Sequence, residues 1–221
     1  PLLVADATRR LTAGGSVTKD NGIEQRFAAN LDRARALVDA HDGLVDASGI
    51  PSAVAVDFLR AAVVLLHASM EDVLRSLEGL RLPGCTADVF RDFAFVLPSD
   101  PRRRPQKITL VELLEYRGRT VDEVLGTTIR EYLETTNYNN AAEVVTTLRR
   151  INLGSTAAEL NAAELEALMR RRHWIAHRAD RDLRSPPGAF QAQPLEAKLV
   201  ARWRDAVAAV GYDVLGQLMA A

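Results

Sequence analysis

The densest chemistry in this chain is the run Arg170-Arg171-Arg172-His173-Trp174-Ile175-Ala176-His177-Arg178-Ala179-Asp180. Residues 170–184 gather six arginines and two of the four histidines against two aspartates, a local charge of +4. An imidazole exchanges a proton near neutral pH, and a guanidinium stabilises the extra negative charge of a phosphorane. These side chains therefore suit phosphoryl chemistry on RNA, which needs no metal when the attacking group is the RNA's own 2′-OH. Two other readings of the same residues stand beside it. In one, the arginines only complement the negative end of a helix macrodipole. In the other, His173 and His177, four residues apart on one helix face, take a zinc ion. Against that, two histidines make half a site, no cysteine is near and the arginines repel a dication.

Arg172 and His177 are five residues apart, about 140° around an ideal helix. They converge only if the long arginine bends round, if the helix end is distorted, or if a second subunit completes the site. Asp180, three residues after His177, is placed to fix its tautomer; a plain salt bridge to Arg178 or Arg184 is the simpler alternative. Trp174 and Trp203 read as packing anchors, although Trp174 could stack on a base.

The elements that must position these groups read as helices nearly throughout. Phe27, Leu31, Ala34 and Val38 share one stripe and predict a helix from Ile23 to about Val45. After Pro51, the series Val56, Leu59, Val63, Leu66, Met70, Val73 and Leu77 predicts a long second helix ending near Pro83-Gly84. Between Ala61 and Leu66 it is apolar on every side, which suggests the centre of a bundle. On this helix His67 and Glu71 share a face, and the arginines at 170–178 are the expected partners for Glu71. His41, among Asp39 and Asp42, reads as an exposed helix end.

Residues 83–107 hold four prolines and Arg102-Arg103-Arg104, a connection with one short helix expected from Asp88 to Val96. Helix starts are flagged by Thr109, Thr120 and Thr156, each with a glutamate three residues on, and more weakly by Asn140 and Glu143. Gly154-Ser155 separates two helices, Ser185-Pro186-Pro187-Gly188 stops the one carrying the basic run, and Leu195, Leu199, Trp203, Val207, Val210, Val214 and Leu218 line a last one. The expected organisation is a flexible arm over 1–22 and a single all-α domain over 23–221.

Composition bounds the remaining functions. The 221 residues are 48% hydrophobic and 26% charged with a formal charge of −1, the make-up of a globular protein. That neutrality conceals a −5 stretch at 108–169 directly before the +4 stretch, and local field steers a polyanion. A lone cysteine, Cys85, excludes a disulfide framework and has no visible activating base. No phosphate-binding glycine loop and no Gly-x-Ser-x-Gly elbow is present, which argues against ATP-driven, NAD-linked and serine-hydrolase chemistry. The apolar stretch between Arg60 and Glu71 is short of the roughly 20 residues that span a bilayer, and the first residues lack a secretory pattern. The expectation is a cytoplasmic protein without a membrane segment.

Arg172-His173-Trp174-Ile175-Ala176-His177 resembles the Arg-polar-x-x-x-His signature of the HEPN superfamily (higher eukaryotes and prokaryotes nucleotide-binding). Arg171 before it and Arg178-Ala179-Asp180 after it resemble the RiboL-PSP type of HEPN domain. The helix carrying Leu66-His67-Ala68-Ser69-Met70-Glu71-Asp72-Val73-Leu74-Arg75 is similar to the long early helix of that group. The resemblance implies a HEPN-like helical bundle with additional helices, pairing with a twin so that both motifs face one cleft. It implies a metal-independent endoribonuclease without cofactor, of the kind that acts as a toxin or in phage defence, with RNA as substrate and an antitoxin protein as partner. By that analogy His177 transfers the proton, Arg172 is the transition-state cation and His173 orients or contacts phosphate. Glu71, Asp180 and Arg178 would support the site, and Arg170, Arg171 and Arg181 would contact RNA. The alternative is a non-catalytic module of the same type that binds RNA or a protein through the same turn.

Overall fold

A computed structural model describes residues 19–45, 51–92, 110–182 and 192–220, and helix dominates among them. Phe27, Leu31 and Ala34 are buried along one face of α1 (Lys19–Gly43). This helix begins four residues before the expected boundary, so the arm read over 1–22 is already helical at its end. The first 18 residues lie outside the described residues. His41 is buried at 7% exposure rather than exposed, with its Nδ1 2.8 Å from Asp42 Oδ1.

Helix α2 (Ala53–Arg81) is the expected central element. Ser52 caps it by accepting the Ala55 N–H at 3.1 Å, which satisfies one of the amides that a helix start leaves unpaired. Leu59, Ala62, Val63, Leu66, Met70, Val73, Leu74 and Leu77 are buried against neighbours that include α1 and the two long helices α7 (Ala162–Arg178) and α8 (Ala197–Ala220). Its apolar character is not used on every side: Ala61 is exposed and Val64 is 39% exposed. By length and composition α2 could cross a bilayer, contrary to the expectation that no segment would. In the fold, its apolar stripe is the core of the bundle.

Beyond α2 a 3₁₀ turn over Leu82–Gly84 contains Pro83, whose missing N–H ends the α pattern. The expected short helix from Asp88 is a 3₁₀ turn over Val89–Asp92, and its continuation lies outside the described residues, as do Thr109, Arg102–Arg104 and Ser185–Gly188. The short α3 (Leu110–Leu113) precedes α4 (Val121–Thr135), which opens on the expected capping box. There the Glu123 N–H donates to Thr120 Oγ1 at 3.2 Å, and the Thr120 N–H donates to Glu123 Oε2 at 2.7 Å. Asn140 caps α5 (Ala141–Arg150) by accepting the Glu143 N–H at 2.9 Å.

The box expected at Thr156 does not form. Thr156 is the first residue of α6 (Thr156–Leu160), and the position before it, Ser155, makes no cap bond. Ser155 instead donates to Glu159 at 2.6 Å, beside the pair Arg149–Glu159 at 2.7 Å. The glutamate is thereby engaged by a hydroxyl and a guanidinium.

Helix α8 crosses α1 at Gly211, where a Cβ would stand 2.1 Å from Phe27 Cζ. Only a glycine admits the ring. Alanine is normally favoured over glycine in a helix by about 1 kcal/mol, but overpacking a rigid buried ring costs about 1–3 kcal/mol or more. Gly211→Ala is therefore expected to lower the urea midpoint, and Phe27→Leu in the same chain to recover part of the loss. Unchanged or raised stability in the single variant would refute this close approach.

Candidate functional site

Leu165, Leu168 and Met169 bury one face of α7, and Ile175 continues the contact with the core. The helix stops at two consecutive left-handed residues, Ala179 (φ 48°) and Asp180 (φ 55°). Neither is glycine, so the conformation carries strain and persists only where the surroundings impose it. The Asp180 N–H turns back to Trp174 O at 3.1 Å. The Asp180 carboxylate, 0% exposed, accepts from Arg60 Nε at 2.9 Å and from Arg171 Nη2 at 2.8 Å. Its carbonyl accepts the Gln193 N–H at 2.9 Å, and Arg181 bridges to Ala192. Arg171 also donates to the Gln193 carbonyl at 2.9 Å.

This corrects two expectations. The carboxylate of Asp180 does not fix the tautomer of His177, because the left-handed turn carries it into the interior while His177 remains exposed. Nor does it pair with Arg178. Arg171, read as an RNA contact, is instead a half-buried tie joining α7, Asp180 and Gln193. Arg60 was not singled out from the sequence; the signal for it was a lone cation at the edge of an apolar run.

The other members of the run divide by face. Arg170, His173, His177, Arg178 and Arg181 are exposed, and the rings of His173 and His177 lie 4.7 Å apart between centroids, inclined at 48°. Arg172 is half-buried on the side of α2, where its charge bears on His67. Arg172 is thus less exposed than His177, five residues on along the same helix end.

Glu71 is also differently engaged. Its Oε2 lies 3.5 Å from Arg75 and 3.8 Å from His67 Nδ1, and its Oε1 accepts the Tyr138 N–H at 3.4 Å. Its partner is an arginine one turn on along its own helix rather than one from 170–178. His67, Glu71, Arg75 and Glu78 recur at helical spacing and form a polar stripe on α2. His67 Nε2 lies 3.0 Å from the Tyr138 carbonyl, and Arg75 donates to Thr136 O at 2.7 Å. Fully buried Glu78 accepts from the Tyr138 hydroxyl and from Arg150.

Burial pushes the Tyr138 hydroxyl pKa up, and the Glu78 charge adds to it. Burial opposes the charge of Arg150, but Glu78 and Tyr132 together outweigh it and the arginine's pKa rises. A pocket of about 270 Å³ opens over this network, lined by Tyr132, Thr136, Asn137, Tyr138, Thr147 and Arg150 among others. It includes no residue of the basic run, so the cavity and the Arg/His chemistry are separate features. Among the described residues no group of three or more histidine, cysteine, aspartate or glutamate side chains gathers. Cys85 is half-buried and directs its thiol to the Arg81 carbonyl.

Two measurements test these assignments. Removing one partner of a buried ion pair costs about 3–5 kcal/mol. Asp180→Asn and Arg171→Ala should therefore each lower unfolding free energy by several kcal/mol, whereas Arg170→Ala and Arg178→Ala should leave it nearly unchanged. Equal effects at all four positions would contradict the division by face. His67, held below its ordinary value of 6.5 chiefly by burial, refuses a proton that the unfolded chain accepts. Its contribution is present in full above about pH 6.5 and is lost as pH falls toward its folded pKa. Wild type should lose more stability than His67→Gln between about pH 7.5 and about pH 5.5.

The chain matches no protein-family model, no curated protein and no solved structure.

Proposed function

We propose that the C-terminal turns of α7 are the active site of a metal-independent endoribonuclease of HEPN type that works as a homodimer. The observation that carries this reading is the exposed pair His173 and His177, ringed in sequence by exposed Arg170, Arg178 and Arg181, with the Asp180 charge withdrawn into the interior. That arrangement leaves two proton carriers on an electropositive helix end, which a phosphodiester can approach.

In the reaction, His177 takes the proton of the RNA 2′-OH as O2′ bonds to phosphorus. The bond from phosphorus to the 5′-oxygen breaks, and His173 in its cationic form protonates the departing oxygen. The products are a 2′,3′-cyclic phosphate and a 5′-hydroxyl. Arg172 stabilises the phosphorane charge, from its own chain or from across the two-fold axis of the dimer. Because residues five apart stand about 140° apart around an ideal helix, a second copy supplies the missing member most simply. A nuclease of this kind suits a toxin or a phage-defence factor restrained by an antitoxin protein, a context that rests on the resemblance of the Arg172–His177 motif alone.

Purified protein incubated with RNA in EDTA should cleave it and leave 2′,3′-cyclic phosphate ends. His177→Ala and Arg172→Ala should each reduce the rate by about 100-fold or more, the scale of a lost proton-transfer group or oxyanion partner. RNA left equally intact by wild type and His177→Ala would refute catalysis, and RNA binding retained in that case would identify a binding module. Activity abolished by EDTA would refute the metal-free mechanism.

A further inference from the structure

The histidine pair has a second chemistry. Of the four histidines, His41 and His67 are buried, at 7% and 2% exposure, while His173 and His177 are exposed one turn apart on α7. A metal–imidazole bond is about 2.0–2.1 Å, so two nitrogens on one ion stand about 3 Å apart. With ring centroids at 4.7 Å, the two rings stand close enough for one nitrogen of each to face a shared ion. Neither ring makes a hydrogen bond within the described residues, so no existing bond has to break.

The surroundings select the kind of ion. The last carbonyls of α7 favour a cation, whereas exposed Arg170, Arg178 and Arg181 oppose one. An ion held mainly by charge, such as Mg²⁺ or Ca²⁺, lacks the oxygen ligands it needs, since Asp180 is committed to Arg60 and Arg171. An ion with strong intrinsic affinity for imidazole overcomes the repulsion, which points to Ni²⁺, Cu²⁺ and Zn²⁺. With no third protein ligand gathered among the described residues, water fills the remaining positions and the ion exchanges readily.

We propose that His173 and His177 form a two-imidazole chelate for a divalent ion of this class, and that the ion silences the helix end by occupying the lone pairs of both rings. The chelate stands on the geometry alone; the silencing rests on the ribonuclease reading. In this role the metal is an inhibitor, not a cofactor.

The test uses the full chain with Cys85→Ser, to remove the thiol, titrated calorimetrically with NiCl₂ after EDTA treatment and dialysis. One ion per chain should bind in the micromolar range. His173→Ala and His177→Ala should each weaken binding about tenfold or more, because the second ligand acts at high effective concentration. His41→Ala should leave binding unchanged. Absence of binding, or binding indifferent to both exposed histidines, overturns the proposal. RNA cleavage by the same protein should fall with NiCl₂ and return with excess EDTA. The calorimetry contains no RNA, so a chain that binds nickel yet never cleaves refutes only the nuclease. One that cleaves yet binds no nickel refutes only the chelate.

Discussion

A carboxylate withdrawn from water between two guanidiniums decides where α7 ends and which of its side chains face outward. Asp180 accepts from Arg60 on α2 and Arg171 on α7, and a buried charge so paired cannot be released without leaving uncompensated cations behind. Two left-handed residues are needed to bring it there, and the ion pairs outweigh that strain. The consequence reaches the surface. With Asp180 inside, the charge next to the exposed histidines is contributed by arginine, and the chain after the helix is tied back through Gln193.

The opposite arrangement operates along α2. One face of this helix is the apolar core, and a second face carries His67, Glu71, Arg75 and Glu78 against the 136–138 segment. Such a polar stripe is tolerated in the interior because nearly every group finds a partner in backbone or in Arg150 and Tyr138. It sets the segment between α4 and α5, while Arg60 at the other end of α2 sets the end of α7. Arg172, near His67, lies between these two anchored regions. The central helix therefore supplies both the hydrophobic core and the polar contacts that orient the basic run.

Much of the helical architecture was legible from periodicity. The stripe Leu59–Val63–Leu66–Met70 is repetitive enough to announce a core helix, and Thr120 and Asn140 are caps whose mechanism is local. The failures are just as specific. Thr156 looked like a cap because the spacing to Glu159 is right, yet Arg149 and Ser155 compete for that glutamate, and Arg149 belongs to the preceding helix. Glu71 meets an arginine on the next turn of its own helix and a backbone amide, which suffice without the arginines at 170–178. His41 looked exposed beside its aspartates, although the helix turns it inward.

For the candidate site, the residue types of 170–180 and the angular separation of Arg172 and His177 follow from sequence alone, because helix geometry makes spacing equivalent to direction. That His173 and His177 share one helix face follows in the same way, and the structure shows that face exposed. What only the tertiary structure decided is the sorting of like residues within that run. Arg171 is an internal tie and Arg170 an exposed cation, although they are neighbours of identical chemistry. Asp180 is a structural anchor rather than a partner of His177. The physical reason is that a charge's role depends on which opposite charge meets it in the interior, and for Asp180 that partner, Arg60, comes from 120 residues earlier in the chain.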